Sequence, residues 1–321
     1  MYRQPHKTKQ FFFVLIKLSI VVAAFYFIYD KLTNNTALKF FIFIDFVSKT
    51  GILSLKTIIF LAFLSTFNWF LEILKWKILV ASLEKINIKQ ATEHCLCSLT
   101  ASLFTPNRIG EYGAKALCFS TGQRKKVMLV NLIGNLLQMA VTIILGAIGL
   151  YFFIKNYQPN IDYTKFLLFL TIALIVIVLI GFVTAKSNLS FKGFSAGKFK
   201  DHLKSFPKHQ FGLVFLLSVL RYAIFSFQFY FLLQLFDIKL NYFEAMTLIS
   251  SMYILASVIP SIFIFDVVVK GSVAVYLFAF AGVSSLVILS IVTIMWIFNF
   301  VLPSILGSYY VLKFQPKNAL S

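Results

Sequence analysis

The sequence predicts an all-α integral membrane protein without a separate soluble domain, and its composition carries this prediction. Of the 321 residues, 60% are hydrophobic and 13% are charged, whereas soluble domains have about 45–50% apolar and about 25% charged residues. Phenylalanine alone occupies 39 positions, and the mean hydropathy is +0.87. This excess of apolar surface needs lipid as its solvent, so we treat residues 1–321 as a single polytopic membrane domain.

Six segments have the length of about 20 apolar residues that a membrane-spanning helix needs. The first has a basic start, is interrupted by Lys17 and lacks a small-residue cleavage site, which predicts a retained span instead of a cleaved signal peptide. Asn34–Lys49 is amphipathic and aromatic, which predicts an interfacial helix. The six predicted spans are Phe11–Tyr29, Thr57–Val80, Val127–Ile154, Phe166–Thr184, Phe211–Phe236 and Ser285–Leu312.

Two further apolar regions are interrupted by a proline. Ala91–Phe119 is divided at Pro106 into pieces of about 14 residues, too short to cross a bilayer. Phe243–Gly282 is divided at Pro260, and its longer pieces leave two full spans as an alternative. We predict that each region is a re-entrant helix pair, which gives 6–8 transmembrane helices in total. Broken helices at membrane depth are tolerated only where protein or a water-filled cavity covers the freed backbone groups.

The net charge of +19 follows the pattern of membrane loops. With the N-terminus inside, the predicted cytoplasmic segments hold 16 Lys and Arg residues and the outside segments hold 7, as the positive-inside rule requires. Both termini are therefore predicted on the cytoplasmic side of a plasma (inner) membrane. The basic residues accompany no RNA- or DNA-binding motif, so we predict no nucleic-acid partner.

The chain also contains a weak internal repeat, with units at 57–154 and 211–312. Each unit has a span, a short polar loop, an apolar piece, a proline, and then an acid and a lysine four residues apart. Three spans separate the starts of the units, so they are predicted to be inverted relative to each other, as in many transporters. The alternative is that any two hairpins of a membrane bundle align this well.

The two acid–lysine pairs mark the candidate site, because charges inside a membrane are costly and usually functional. Thr105 is predicted to cap a helix whose first residue is Pro106, and a helix N-terminus beside an arginine suits a phosphate or carboxylate. The alternative is an Arg–Glu–Lys cluster that only stabilises the hairpin. The predicted binding residues are Pro106, Asn107, Arg108, Gly110, Glu111, Lys115, Arg221, Pro260, Asp266 and Lys270.

Other polar residues within apolar segments receive different interpretations. Arg221 and Glu72 are predicted to face the bundle interior, whereas Lys77 and Lys75 are predicted to extend to the membrane interface. The three tryptophans, Trp69, Trp76 and Trp296, are predicted to be interfacial anchors.

No cofactor or metal is predicted. Cys95, Cys97 and Cys118, with His94, have no zinc-site spacing and are interpreted as packing residues. The segment Gly193–Lys198 is one residue too short for a phosphate-binding P-loop and lacks the Ser or Thr after its lysine. The four histidines form no catalytic triad with a Ser or Cys, so we expect that the protein is not an enzyme.

The stretch Ser102–Tyr112, S-L-F-T-P-N-R-I-G-E-Y, resembles the P-x-R-x-G-E signature of the lysylphosphatidylglycerol synthase transmembrane family. The resemblance implies a flippase-like membrane domain, here as a stand-alone member without the synthase module. In that family a second proline element continues into a Gly-Gly-x-Gly-x-x-Glu run, whereas this chain has Asp266 and Lys270 in the corresponding segment, Pro260–Gly271.

The predicted function is translocation or binding of an anionic phospholipid or lipid-linked headgroup, with the bilayer and a lipid-synthesis enzyme as partners. One alternative is a membrane-embedded enzyme that acts on lipid-linked substrates, with Glu111 or Asp266 as the base. Another is a non-transporting scaffold for a membrane enzyme, in which the buried charges are structural.

Overall fold

The computed structural model describes residues 54–103, 105, 108–159, 208–258 and 266–315, together with isolated positions nearer the N-terminus. All regular elements in these ranges are helices. The eight are α1 (Leu55–Val80), α2 (Ile88–Ser102), α3 (Ile109–Leu117), α4 (Arg124–Tyr157), α5 (Lys208–Leu235), α6 (Tyr242–Val258), α7 (Asp266–Ala279) and α8 (Ser285–Lys313).

Four of these helices are long and apolar enough to cross a membrane, namely α1, α4, α5 and α8. They correspond to the second, third, fifth and sixth predicted spans. The first and fourth predicted spans and the interfacial helix at Asn34–Lys49 lie outside the described residues, apart from isolated positions. These three assignments stay predictions.

Side chains cap the starts of two helices, α2 and α8. Asn87 and Gln90 form a reciprocal capping box at the start of α2, which satisfies two backbone donors that a helix start leaves free. Ser284 accepts a hydrogen bond from the Val287 N–H and so caps α8. Helix α8 is interrupted by a π-helical turn at Ile297–Val301.

The two proline-containing regions form pairs of short helices. Helices α2 and α3 have 15 and 9 residues, and α6 and α7 have 17 and 14, all below the length of about 20 residues that a span needs. The break between α2 and α3 lies between Ser102 and Ile109. Helix α6 is described to Val258 and α7 from Asp266, and Pro260 between them lies outside the described residues.

The two short-helix pairs begin at opposite ends of the bundle. The loop between α1 and α2 lies at the end where Val80, Ile86 and Val127 pack together, beside the start of α4. The loop between α5 and α6 lies at the other end, where Phe243 at the start of α6 packs against Phe152 near the end of α4, with ring centroids 5.0 Å apart. The pairs therefore enter the bundle from opposite sides.

The two halves of the described structure, α1–α4 and α5–α8, pack against each other in matching pairs of helices. Both halves follow the order long, short, short, long, and the most extensive contacts join α4 to α6, α8 to α2, and α1 to α5. Glycine permits the close approach in the first two cases. A Cβ at Gly149 would lie 2.6 Å from Ser250 Cβ on α6, and one at Gly307 would lie 2.3 Å from the Leu96 carbonyl oxygen on α2. The order of helix lengths is therefore the same in both halves of the described structure.

Candidate functional site

Two buried carboxylates in the first half of the chain each contact two cations. Glu111 lies 3.0 Å from Arg108 Nη2 and 2.7 Å from Lys115 Nζ. Glu111 and Lys115 lie on one face of α3, because residues four apart on a helix are neighbours, and Arg108 reaches Glu111 from the N-cap position. The structure thus brings together three of the predicted binding residues.

The second carboxylate, Glu72 on α1, pairs with Lys75 at 2.6 Å and with Arg221 of α5. The guanidinium group of Arg221 also donates from Nε to Asn68 Oδ1 at 3.1 Å and from Nη1 to Gln138 Oε1 at 3.3 Å. Arg221 is therefore held by three residues on two helices. The prediction that Arg221 and Glu72 face the bundle interior is confirmed.

A polar stripe on α4 lies beside both carboxylate clusters. Asn131, Asn135 and Gln138 are spaced i, i+4 and i+7, which places them on one helix face. Asn131 Oδ1 accepts a hydrogen bond from Lys115 Nζ at 2.8 Å, and Asn135 Nδ2 donates to the Tyr112 hydroxyl at 2.9 Å. With the contact from Gln138 to Arg221, the stripe connects the two clusters along the helix.

The combined cluster carries more positive than negative charge. Among the residues that the structure describes, it contains two carboxylates, Glu72 and Glu111, and four cations, Lys75, Arg108, Lys115 and Arg221. The two lysine side chains are each 2% exposed, whereas those of Arg221 and Arg108 are 20% and 36% exposed. Uncompensated charge is costly in a low-dielectric interior, so the excess favours an anion beside the more exposed arginine side chains.

The start of α3 differs from the prediction. The helix begins at Ile109 with Arg108 as its N-cap in the left-handed conformation, at φ 58°, so the prediction of Thr105 as N-cap and Pro106 as first helical residue was wrong. Thr105 still caps the helix although it lies outside the N-cap position, because its hydroxyl oxygen accepts a hydrogen bond from the Gly110 N–H at 2.8 Å. A Cβ at Gly110 would lie 2.9 Å from the Ala101 carbonyl oxygen, so glycine is required there.

Lys270 of α7 lies apart from these two clusters. It lines a cavity whose other walls are aromatic and aliphatic, including Phe225, Tyr253, Trp296 and Phe300. The Arg108 guanidinium lies over the ring of Phe300, 5.9 Å from its centroid. Phe300 thus contacts the first cluster and the Lys270 cavity.

Some predicted site residues cannot be placed. Pro106, Asn107 and Pro260 lie outside the described residues. Asp266 is the first residue of α7, and its side chain is likewise outside the described part of the structure.

Two predictions about polar and aromatic side chains were wrong. Lys75 is 2% exposed and does not extend to the interface, because Glu72 one turn earlier supplies a buried counter-charge.

Trp76 is 1% exposed, and its ring lies 4.4 Å from Lys115 Nζ, a cation–π contact. Trp296 is also buried and lines the Lys270 cavity. Trp69 is partly buried and donates to the Asn299 carbonyl at 3.1 Å.

The sequence interpretation missed the neutral polar residues of the site, Asn68, Asn131 and Gln138. The stripe on α4 had a detectable signal, since three amide side chains at helical spacing interrupt a predicted span. Asn68 has a weaker signal, because a single amide four residues before Glu72 is also common in structural positions.

The cysteines agree with their interpretation as packing residues. Cys95, Cys97 and Cys118 are buried and form no disulfide. Cys95 and Cys118 belong to the same apolar cluster as Trp76 and Val127.

Four apolar helices of spanning length around a buried, positively charged cluster define an integral membrane protein. The family model described as Lysylphosphatidylglycerol synthase TM region matches residues 14–307. The chain therefore belongs to this family of membrane domains, as its P-x-R-x-G-E motif indicated. No curated protein and no solved structure matches the chain.

Proposed function

We propose that this protein binds an anionic phospholipid or a lipid-linked anionic headgroup and moves it between the leaflets of the plasma (inner) membrane. The observation that carries the proposal is the excess of two cations over carboxylates in the cluster of Glu72 and Glu111. A phosphate group supplies the missing negative charge, and arginine binds phosphate through two parallel hydrogen bonds. Membership of a lipid-related membrane family supports a lipid ligand.

The proposed movement uses the two short-helix pairs as an inverted repeat. The pairs enter from opposite ends of the bundle, so small shifts of each would open the cluster to one leaflet at a time. The headgroup would bind first at Arg108, the most exposed cation of the cluster, while the acyl chains remain in the bilayer. Glu111 would pair with the cations after the headgroup leaves and so favour its release.

The role is non-enzymatic in this proposal, and both termini lie on the cytoplasmic side. A lipid-synthesis enzyme in the same membrane would supply the headgroup-bearing lipid. Lys270 and the aromatic cavity, which adjoin the cluster at Phe300, would contact the part of the lipid next to the headgroup.

A structural role for the charges is a second candidate, favoured by the short contacts of each carboxylate with its cations. Glu111, for example, has Lys115 at 2.7 Å and Arg108 at 3.0 Å. If the cluster only stabilises the fold, the loss of Arg108 would lower stability without a specific effect on lipid movement.

Translocation of a labelled phosphatidylglycerol in reconstituted vesicles tests the proposal. We expect Arg108→Ala to slow translocation by about 10- to 100-fold, because a hydrogen bond to a charged group contributes about 1.5–3 kcal/mol. Arg124→Ala, at the start of α4 and outside the cluster, is the matched control and should keep the parent rate. Thermal stability of each variant separates loss of function from loss of fold. Translocation by Arg108→Ala at the parent rate would contradict the proposal.

A further inference from the structure

Asn131 on α4 is a polar residue in the centre of the bundle whose hydrogen bonding is incomplete. Its side chain is 3% exposed, and its Oδ1 accepts a hydrogen bond from Lys115 Nζ at 2.8 Å. An ammonium group can only donate hydrogen bonds, so this contact determines which side of the amide faces Lys115. The Nδ2 group, with two N–H donors, must therefore face elsewhere.

That Nδ2 group has no acceptor. Within the described ranges, the buried side-chain nitrogens that lack a hydrogen-bond partner are Asn131 Nδ2 and Arg108 Nε. The other unpartnered buried atoms there are hydroxyl or amide oxygens, which can accept hydrogen bonds. Buried donors without an acceptor are rare and costly, and each calls for an explanation.

Both nitrogens belong to one connected chain of contacts. Arg108 pairs with Glu111, Glu111 pairs with Lys115, and Lys115 donates to Asn131. The chain thus ends at both sides in N–H groups that have no acceptor. These groups lie beside a cluster with excess positive charge, so the missing partner has acceptor atoms and negative charge.

From this arrangement we infer that Asn131 is a ligand-binding residue, whose Nδ2 donates to an oxygen of a phosphate or phosphodiester group. The inference rests on the proposed function and adds to it a contact and a chemical class. A phosphodiester has only acceptor oxygens and a negative charge, which match the N–H donors and the cations. A ligand group that itself donates, such as an ammonium, would leave both nitrogens unpartnered.

Two substitutions separate the donor of Asn131 from its other roles. Asn131→Asp keeps an oxygen for Lys115 and nearly the same volume but removes both N–H donors. Asn131→Leu adds no charge but removes the donors together with the oxygen that accepts from Lys115, so the two variants are compared with each other. Thr142→Val is the matched control, because it removes a side-chain donor on the same helix at nearly constant volume, and the Thr142 hydroxyl donates to the Gln138 main-chain carbonyl at 3.2 Å, outside the charged cluster.

Binding is measured by tryptophan fluorescence of the full-length protein in detergent. Trp76 reports on the site, because its ring lies 4.4 Å from Lys115 Nζ. The probes are inorganic phosphate, short-chain phosphatidylglycerol and a short-chain diacylglycerol without phosphate. Saturation by phosphatidylglycerol alone identifies a lipid headgroup as the ligand, and saturation by inorganic phosphate identifies the free ion as sufficient.

We expect a saturable signal with a phosphate-bearing probe and none with diacylglycerol. Both Asn131 variants should weaken that binding by about 10- to 100-fold, as expected for a lost hydrogen bond to a charged group, while Thr142→Val stays near the parent value. Unchanged melting temperatures would show that the variants fold. Binding of unchanged strength by a folded Asn131→Asp, or no phosphate-dependent signal from the parent, would overturn the inference.

The same variants distinguish this inference from the proposed function. If the parent binds phosphatidylglycerol through Asn131 but does not translocate it, the ligand contact stands and the translocation proposal fails. If the parent translocates lipid and the Asn131 variants do so equally well, translocation stands and the contact is wrong.

Discussion

At the scale of single residues, whether a charged side chain is buried depends on whether a residue of opposite charge lies beside it. Lys75 and Lys77 are two positions apart on α1, yet Lys75 is buried against Glu72 at 2.6 Å, whereas Lys77 is only partly buried in the last turn. Both stems are long enough to reach an interface. The buried carboxylate one turn earlier makes the difference, because it compensates the charge of Lys75 inside the bundle.

Loss of that carboxylate should therefore unfold the protein readily. Glu72→Gln leaves Lys75 and Arg221 without their counter-charge, and removal of one partner from a buried ion pair costs about 3–5 kcal/mol. We expect a clearly lower melting temperature in detergent. Glu84→Gln, in the loop after α1, makes the same chemical change in a less buried setting and should melt with the parent. Equal melting temperatures for the two variants would contradict the stabilising role that we assign to Glu72.

The sequence predicted local side-chain groups better than distant ones. Glu111 and Lys115 lie one turn apart on α3, so their contact follows from helix geometry, and Arg108 is the residue directly before that helix. Arg221 and Glu72 are 149 residues apart, and each was predicted to face inward but not to meet the other. Trp76 was assigned wrongly because a tryptophan near a lysine at the end of a span has the same sequence signal at an interface and in a cation–π contact.

At the scale of helices, length and apolar composition were sufficient to predict the four spanning helices. The predicted span Val127–Ile154 became α4, Arg124–Tyr157, since polar residues extend a helix beyond its apolar part. The crossings between helices could not be predicted, because a small residue indicates a close approach but does not indicate which other helix packs there. Gly307 on α8 is such a residue, and its partner is the backbone of α2 at Leu96.

The crossing of α8 with α2 should not tolerate a methyl group. In Gly307→Ala the new Cβ would lie 2.3 Å from the Leu96 carbonyl oxygen, and a backbone atom cannot move as a side chain can. Overpacking of this kind costs about 1–3 kcal/mol. Gly113→Ala is the control, since its Cβ would meet nothing within 4 Å and alanine favours a helix. Thermal unfolding should rank Gly307→Ala below the parent and Gly113→Ala at or above it.

At the scale of the whole molecule, the α1–α2 and α5–α6 loops lie at opposite ends of the bundle, which predicts that they face opposite sides of the membrane. Lys125 lies at the start of α4 and Lys239 in the loop between α5 and α6, and both are exposed. Because the native cysteines are buried, cysteines introduced at these two positions report on sidedness with little background.

We expect Lys239→Cys to react with a membrane-impermeant maleimide in intact cells. Lys125→Cys should react only in inverted vesicles or opened cells, because the basic start of α4 is predicted to be cytoplasmic. The cysteine-containing parent without these changes gives the background. Labelling of both positions from the same side would exclude the inverted arrangement of the two short-helix pairs.

The π-helical turn at Ile297–Val301 makes the packing of α8 depend on its number of residues. Its widened geometry presents the Phe298 carbonyl to Ser65 at 2.6 Å, and it lies between Trp296 at the cavity and Gly307 at the crossing with α2. Such a turn accommodates one additional residue in an α-helix, and each residue advances about 100° around the axis. Deletion of one residue there would restore regular helix and rotate Gly307 away from Leu96 while Trp296 stays at the cavity. The phase between these two contact surfaces is thus set by the number of residues in α8, and substitution alone cannot reset it.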